Sequence, residues 1–317
     1  MLASSVAAIV GLAGCIDLDP SANEPIVETV VSIPDKRVRE NMTFDTDRNF
    51  YRGITAGEVR RLPADQTGET DLGIDDTEQV ATLPSAIGVE ASPDGTLYVA
   101  VASQDESAGV WMAPLDGIAS QLSNISCFPN DILFQPEHDH ILVAESSSGV
   151  VYSVGTDGSR ETWLDDDRLA TESFGANGIT QRSDGTVYIA VTRASKMGRL
   201  IEVPMEAAGS SGEATTLLES EAISGVDGIT ASNGDLLVAA NSQNRVVRVN
   251  SAAKTETIAD SDDRLVFPSD VLVDPLPKGC LSVTSQTTHL KTAQCFGWKH
   301  KPRELNKYGH IVVVDAN

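Results

Sequence analysis

Six residues far apart in the chain, Glu40, Ile87, Asn130, Asn177, Asp227 and Ser269, each open a short strand-like apolar pattern. Four of them carry side-chain oxygen: Glu40, Asn130, Asn177 and Asp227. Two carboxylates and two neutral amides match the charge of a divalent cation. A donor set of oxygen alone, without His or Cys, suits a hard ion, calcium ahead of magnesium. Calcium takes six to eight oxygens at roughly 2.3–2.6 Å, so water or a bound molecule would complete the shell, with one ion held or two. That chemistry requires a fold that brings the four side chains to one point.

The elements that must position them repeat. Gly175 to Ala190 reads as an alternating strand, a Ser183-Asp184-Gly185 turn and a buried strand from Val187 to Ala190, which is hairpin chemistry. The same layout recurs from Ile87 to Ala100, from Asn130 to Ala144 and from Asp227 to Ala239, with looser copies at 40–53 and 269–284. The closing residues Gly53, Ala100, Ala144, Ala190, Ala239 and Thr284 lie 47, 44, 46, 49 and 45 positions apart. A period in the forties, carried by strands, is the signature of a β-propeller. Six copies predict an all-β, six-bladed ring in which equivalent positions face one central channel. Asn177-Gly178 and Asp227-Gly228, taken alone, read first as turn words. Each of those repeats has its own turn a few residues later, and Asn130-Asp131 is not a hairpin word. The metal reading is therefore preferred for Asn130, Asn177 and Asp227, and extends to Glu40, whose repeat carries Arg48 and Arg52 in place of Gly and a small or apolar residue.

The 317 residues are read as one domain over 26–317, with blades at 40–83, 84–125, 126–170, 171–220, 221–264 and 265–317. Their third strands are expected at 57–62, 109–114, 149–154, 198–203, 244–249 and 309–315. A strand at 26–33 belongs to no repeat and is expected to close the ring by pairing with the last blade, which removes a sheet edge. The last blade carries an insertion, about 286–308, with His289, Cys295, Trp298, His300 and Pro302. Long loops of this kind commonly serve function, and His289, Trp298 and His300 are candidate substrate contacts.

Lys and Arg number 23 against 46 Asp and Glu, a net charge of −23. Such a surface repels phosphate backbones and anionic headgroups, which argues against nucleic acid as a partner. Asp-Asp-Arg-Leu at 166–169 and 262–265 precedes a new blade each time and reads as an inter-blade turn. Met1 to Gly14 is small and apolar, and Leu12-Ala13-Gly14-Cys15 follows a bacterial lipobox, although no Lys or Arg precedes the apolar run. The expectation is an exported cell-envelope lipoprotein with a signal segment at 1–15, a flexible tether at 16–25, and membrane contact only through the lipid. Cys280 and Cys295 could pair, and Cys127 reads as a buried small hydrophobe.

The succession Glu40, Asn130-Asp131, Asn177-Gly178 and Asp227-Gly228 on inner strands, with Asp-Gly-x-Leu/Val-Tyr-Val/Ile-Ala between them, resembles the gluconolactonase and regucalcin (senescence marker protein)-like propellers. Paraoxonase, diisopropyl fluorophosphatase and strictosidine-synthase-like proteins are relatives of that family. The resemblance spans roughly 36–317. It implies a calcium-dependent hydrolase of a lactone or related ester, with Glu40, Asn177 and Asp227 as metal ligands. Asn130 would bind the ion or contact substrate through it, and Asp227 would serve as nucleophile or general base. A reading from another class stands beside it: a non-catalytic, surface-anchored propeller with a structural calcium that binds a protein or glycan.

Overall fold

A computed structural model describes residues 27–34, 39–273 apart from 68, 70, 116, 195, 196 and 264, then 280–285 and 308–315. The proposed signal segment and tether at 1–25, and His289, Cys295, Trp298 and His300, lie outside the described residues. So does any Cys280–Cys295 pairing.

Each repeat forms an antiparallel meander. Blade 1 spans 39–82, blade 2 spans 89–124, blade 3 spans 129–165, blade 4 spans 176–220 and blade 5 spans 226–259; each is a four-stranded sheet. The remaining sheet is composite. Its order runs Pro268–Val273, Cys280–Ser285, Tyr308–Asp315, Val27–Pro34 and Leu72–Gly73. Val27–Pro34 pairs antiparallel with Tyr308–Asp315, so the two ends of the chain are joined within one sheet. Leu72–Gly73, a detour from blade 1, adds a parallel edge strand. The expectation of six equivalent blades is thus corrected to five regular four-stranded blades and one sheet assembled from three parts of the chain. The first strands of successive sheets touch in order, and Pro268–Val273 touches Arg39–Phe44, which closes the ring around a channel.

Two-sided burial of the second strands explains the stacking. Along Thr186–Ala194, Val187, Ile189 and Val191 pack with Leu142, Ala144 and Val151 of blade 3. Tyr188 and Ala190 point the other way, toward Ile229, Leu236 and Val238 of blade 5. In blade 2, Leu97, Val99 and Val101 face blade 1, while Tyr98 and Ala100 face blade 3. The strand period of two sends alternate side chains to opposite neighbours. Burying one such side chain contributes about 1.5–3 kcal/mol, so a blade depends on both flanking blades for its core. The outermost strands are mostly solvent-facing, as in Ser120–Asn124.

Close approach of the inner strands fixes the glycines that follow two of the candidate residues. Neither Gly178 nor Gly228 has a positive φ, so neither is a turn glycine. A Cβ on Gly178 would stand 2.4 Å from the Asp227 carbonyl oxygen and 2.9 Å from the Ile229 nitrogen. On Gly228 it would stand 2.1 Å from Asp270 Oδ1. These glycines let neighbouring strands converge at the channel. Gly178→Ala is expected to destabilise the ring by roughly 1–3 kcal/mol, toward the upper end because the obstacles are backbone. A thermal melt checks this; an unchanged midpoint would contradict the close-approach account.

Among the described residues, no helix is long and apolar enough to cross a membrane. The turn at 166–169 behaves as an inter-blade joint: Arg168 pairs with Asp166 at 2.6 Å and donates to the Ala214 carbonyl of blade 4. Cys127 departs from expectation. It is half-buried rather than buried, and its φ of 66° lies in the left-handed region.

Candidate functional site

The four oxygen-bearing residues occupy the same place in their strands. Glu40, Asn130, Asn177 and Asp227 are each the second residue of an inner strand, in Arg39–Phe44, Pro129–Gln135, Ala176–Gln181 and Val226–Ser232. In all four strands the register with the next strand shifts at that point, between Arg39 and Met42, Pro129 and Ile132, Ala176 and Ile179, and Val226 and Ile229. Such irregularities bend a strand and re-aim its side chains. Here they turn all four toward one cavity of about 60 Å³, which Glu40, Asn130, Asn177 and Asp227 line together. Glu40, Asn130 and Asn177 are buried and Asp227 is half-buried.

Partners on or just past the second strands orient these side chains. Asn177 Nδ2 donates to Thr192 Oγ1 at 2.8 Å, and Asn130 Nδ2 donates to Ser146 Oγ at 2.9 Å. Asn241 Nδ2 donates to Asp227 Oδ2 at 3.0 Å. Ser146, Thr192 and Asn241 each stand two residues after a repeat-closing alanine, Ala144, Ala190 and Ala239. This fixed offset was visible in the sequence and would have found them. In blade 2 the matching pair is Ile87 and Ala102, both apolar; they join Phe128 and Phe174, whose rings meet edge to face at 5.2 Å. One wall of the entrance is therefore oily, and Phe267 adds to the lining. The three phenylalanines sit outside the alternating repeat pattern, so periodicity could not single them out.

Burial and the crowding of carboxyl groups dominate the electrostatics of the entrance. Burial pushes the Glu40 carboxyl well above its ordinary value, Asp227 and Asp270 push it further, and Arg52 opposes them. Arg52, which broke the repeat in sequence, is buried at 1% exposure and supplies this counter-charge. Burial also lifts Asp227 to about 7, against hydrogen bonds from Asn177 and Asn241, with Asp131 adding to the rise. Below the entrance lie three further acids. Asp131 rises to about 7 and Glu90 to about 8, in both cases chiefly through burial. Asp270 is raised well above its ordinary value by burial and then by Asp131. Asp131 and Asp270 also staple the ring. Asp131 Oδ2 accepts the Ile179 N–H of blade 4 at 2.9 Å, and Asp270 Oδ2 accepts the Met42 N–H of blade 1 at 2.8 Å.

Among the described residues, no group of three or more His, Cys, Asp or Glu is arranged to hold a metal. The set at the entrance is of another kind, two carboxylates with two amides. Asn177 Oδ1 is buried there without a hydrogen-bond partner. An unpaired amide oxygen next to two carboxyl groups raised by burial and by neighbouring carboxylates is the arrangement that a hard cation relieves. The residues present therefore fit calcium.

No protein-family model matches the sequence, and no curated protein matches it. Solved structures share the fold. An auxiliary nutrient binding protein from Bacteroides thetaiotaomicron aligns with a TM-score of 0.66 at 9% identity, covering 92% of this chain and 76% of the other. A candidate gluconolactonase aligns at 0.64 and 10% identity, covering 93% of each chain. Regucalcin from Agrobacterium tumefaciens, described as a calcium-binding protein, aligns at 0.59 and 18% identity over 90% of this chain and 97% of its own. Gluconolactonase- and regucalcin-like propellers are thus among its structural neighbours, and at these identities the likeness is one of fold.

Proposed function

We propose that this propeller is a calcium-dependent hydrolase of a lactone or related ester. The observation that carries the reading is the convergence of Glu40, Asn130, Asn177 and Asp227 on one small cavity, with Asn177 Oδ1 left unpaired. The fold shared with a candidate gluconolactonase and with regucalcin supports it.

Glu40, Asn177 and Asp227 would hold the ion, and Asn130 would hold it or contact substrate through it. Calcium, when bound, would supply Lewis-acid charge beside the ester carbonyl. A cavity of about 60 Å³ has room for an ion and little more, so the substrate ring would rest at the mouth. Phe128 and Phe174 offer it an apolar wall there. Asn241 holds Asp227 Oδ2 in place, so the carboxylate is oriented before substrate arrives. Asp227 would take a proton from the attacking water as its oxygen bonds to the carbonyl carbon. The ring C–O bond would then break, and that proton would pass to the departing oxygen. In the direct alternative, Asp227 itself would bond to that carbon as the ring C–O bond breaks and a water protonates the departing oxygen, and the resulting hydroxide or a second water would then hydrolyse the acyl–Asp227 anhydride.

A second reading keeps one observation in its favour, the small cavity. A structural ion would fill it completely and leave a non-catalytic propeller that binds a protein or glycan; the Bacteroides neighbour is named a nutrient binding protein. A panel of lactones and aryl esters, assayed with calcium and then with chelator, separates the two. The hydrolase reading expects turnover that chelation removes and calcium restores. Absence of turnover on the whole panel, with a chelator-induced fall in melting temperature, would favour the structural ion.

A further inference from the structure

At two places beside the entrance the backbone takes a left-handed turn without a glycine. Phe267 has a φ of 53°, and Cys127, directly before Phe128, has a φ of 66°. A large side chain rarely accepts that region. Phe267 also precedes Pro268, which favours an extended residue before it. Strain of this kind persists only where neighbours hold it, and it gathers at functional sites. A side chain holds each place. Asn244 Oδ1 accepts the Phe267 N–H at 2.9 Å, and Glu145 Oε1 accepts the Phe128 N–H at 3.1 Å. Glu145 is itself fixed by the N–H groups of Ser147 and Ser148, at 2.8 and 2.7 Å.

The Asn244 contact ties Phe267 to the candidate catalytic carboxylate. Asn241–Gln243 is a single helical turn capped by Asn244. Its first residue holds Asp227 Oδ2, and its cap holds the Phe267 backbone. Phe267 is half-buried and lines the entrance with Phe128 and Phe174. Ile87 and Ala102 extend this apolar side, and Ile87 takes the place that an oxygen-bearing residue fills in the other repeats. The polar side is engaged with itself. Asn130, Asn177 and Asn241 each give a hydrogen bond to a neighbouring side chain, which leaves few donors for the hydroxyls of a substrate. A hydroxyl pressed on the apolar side without a partner costs on the order of tenfold in binding. A methylene buried there contributes about fourfold.

We propose that Phe267 is a specificity-determining residue of this site and that Asn244 is the residue that positions it. With Phe128 and Phe174 it selects a lactone or ester that carries an apolar arm over one that carries hydroxyls. The arm lies along the phenylalanines while the ester carbonyl faces the four oxygen-bearing side chains. This assignment rests on the hydrolase reading and names its substrate class.

Three five-membered lactones, assayed with calcium, test it: γ-butyrolactone with no arm, γ-octalactone with a butyl arm and γ-ribonolactone with hydroxyls. Each kcat/KM is taken relative to the hydroxide-catalysed rate of the same compound. γ-Octalactone exceeds γ-butyrolactone by about tenfold or more, the effect of two buried methylenes, and γ-ribonolactone falls below both. Phe267→Ala cuts the ratio of γ-octalactone to γ-butyrolactone by at least about fivefold. Asn244→Gly keeps the left-handed turn and deletes only the acceptor. It raises KM for γ-octalactone about fivefold, the worth of one hydrogen bond, with kcat retained. Asn244→Asp restores an acceptor and brings KM back, whereas a merely structural role would shift both lactones alike. If Phe267→Ala does not fold, the two Asn244 variants carry the test. Turnover of γ-butyrolactone with no gain for γ-octalactone, or with γ-ribonolactone preferred, overturns the proposal and leaves the hydrolase reading standing. So does a parent-like ratio in the variant tested. Turnover of none of the three, nor of any aryl ester, overturns both.

Discussion

Asp227→Asn should lower kcat/KM on the best lactone of the panel by about a thousandfold or more while leaving the ring folded. The substitution keeps the shape and leaves an oxygen to accept from Asn241 Nδ2, which now holds Asp227 Oδ2 at 3.0 Å. What it removes is the proton acceptor and one of the two negative charges at the entrance. A general base alone contributes about a hundred- to ten-thousandfold, and weaker calcium binding adds to the loss. Stability should move little, or upward, in the metal-free protein. The lost carboxylate is one that burial disfavours and that raises Glu40 by repulsion. Kinetics and a thermal melt on the same preparation read both quantities. A variant within tenfold of the parent in kcat/KM would remove Asp227 from the mechanism.

The second large effect is on stability against pH. Glu40 and Asp270 are raised well above ordinary carboxylates, Asp131 and Asp227 to about 7 and Glu90 to about 8. A carboxyl raised in the folded state holds its proton better folded than unfolded. Its contribution is therefore full below about pH 4, the unfolded range, and is lost as pH rises through about 7 to 8. The metal-free protein should melt lower at pH 8 than at pH 5, by about five degrees if a few kcal/mol are involved. Calcium favours the ionised forms at the entrance and should recover most of that difference at pH 8 while adding little at pH 5, where protons compete. A metal-free melting temperature that is flat or rises over that interval would contradict this electrostatic picture. So would calcium stabilisation of equal size at both pH values.

Much of the architecture was legible because the propeller repeats its own grammar. Third strands expected at 109–114 and 198–203 form at Gly109–Ala113 and Met197–Pro204. The unmatched strand expected at 26–33 forms at Val27–Pro34 and pairs with Tyr308–Asp315. The composite character of the last sheet was not legible. Leu72–Gly73 is two residues long and carries no alternation, so nothing in its sequence marks it as an edge strand. At the entrance, position within the repeat was enough to bring Glu40, Asn130, Asn177 and Asp227 into one group, which the fold places on one cavity. The residues that orient them escaped for a different reason. Ser146, Thr192 and Asn241 differ in type and act through hydrogen bonds between strands, so only their common offset from an alanine betrays them. Asp131 and Asp270 stood next to candidate positions, yet their work as clamps on neighbouring backbone appears only once the blades are side by side.

A structure of the calcium-saturated protein tests the convergence of these side chains most directly. The account predicts one ion at the channel entrance, with a Glu40 oxygen, Asn177 Oδ1, an Asp227 oxygen and Asn130 Oδ1 at about 2.3–2.6 Å, or Asn130 one water removed. An entrance that stays empty at saturating calcium, or an ion bound elsewhere with Asn177 Oδ1 still unpaired, would contradict it.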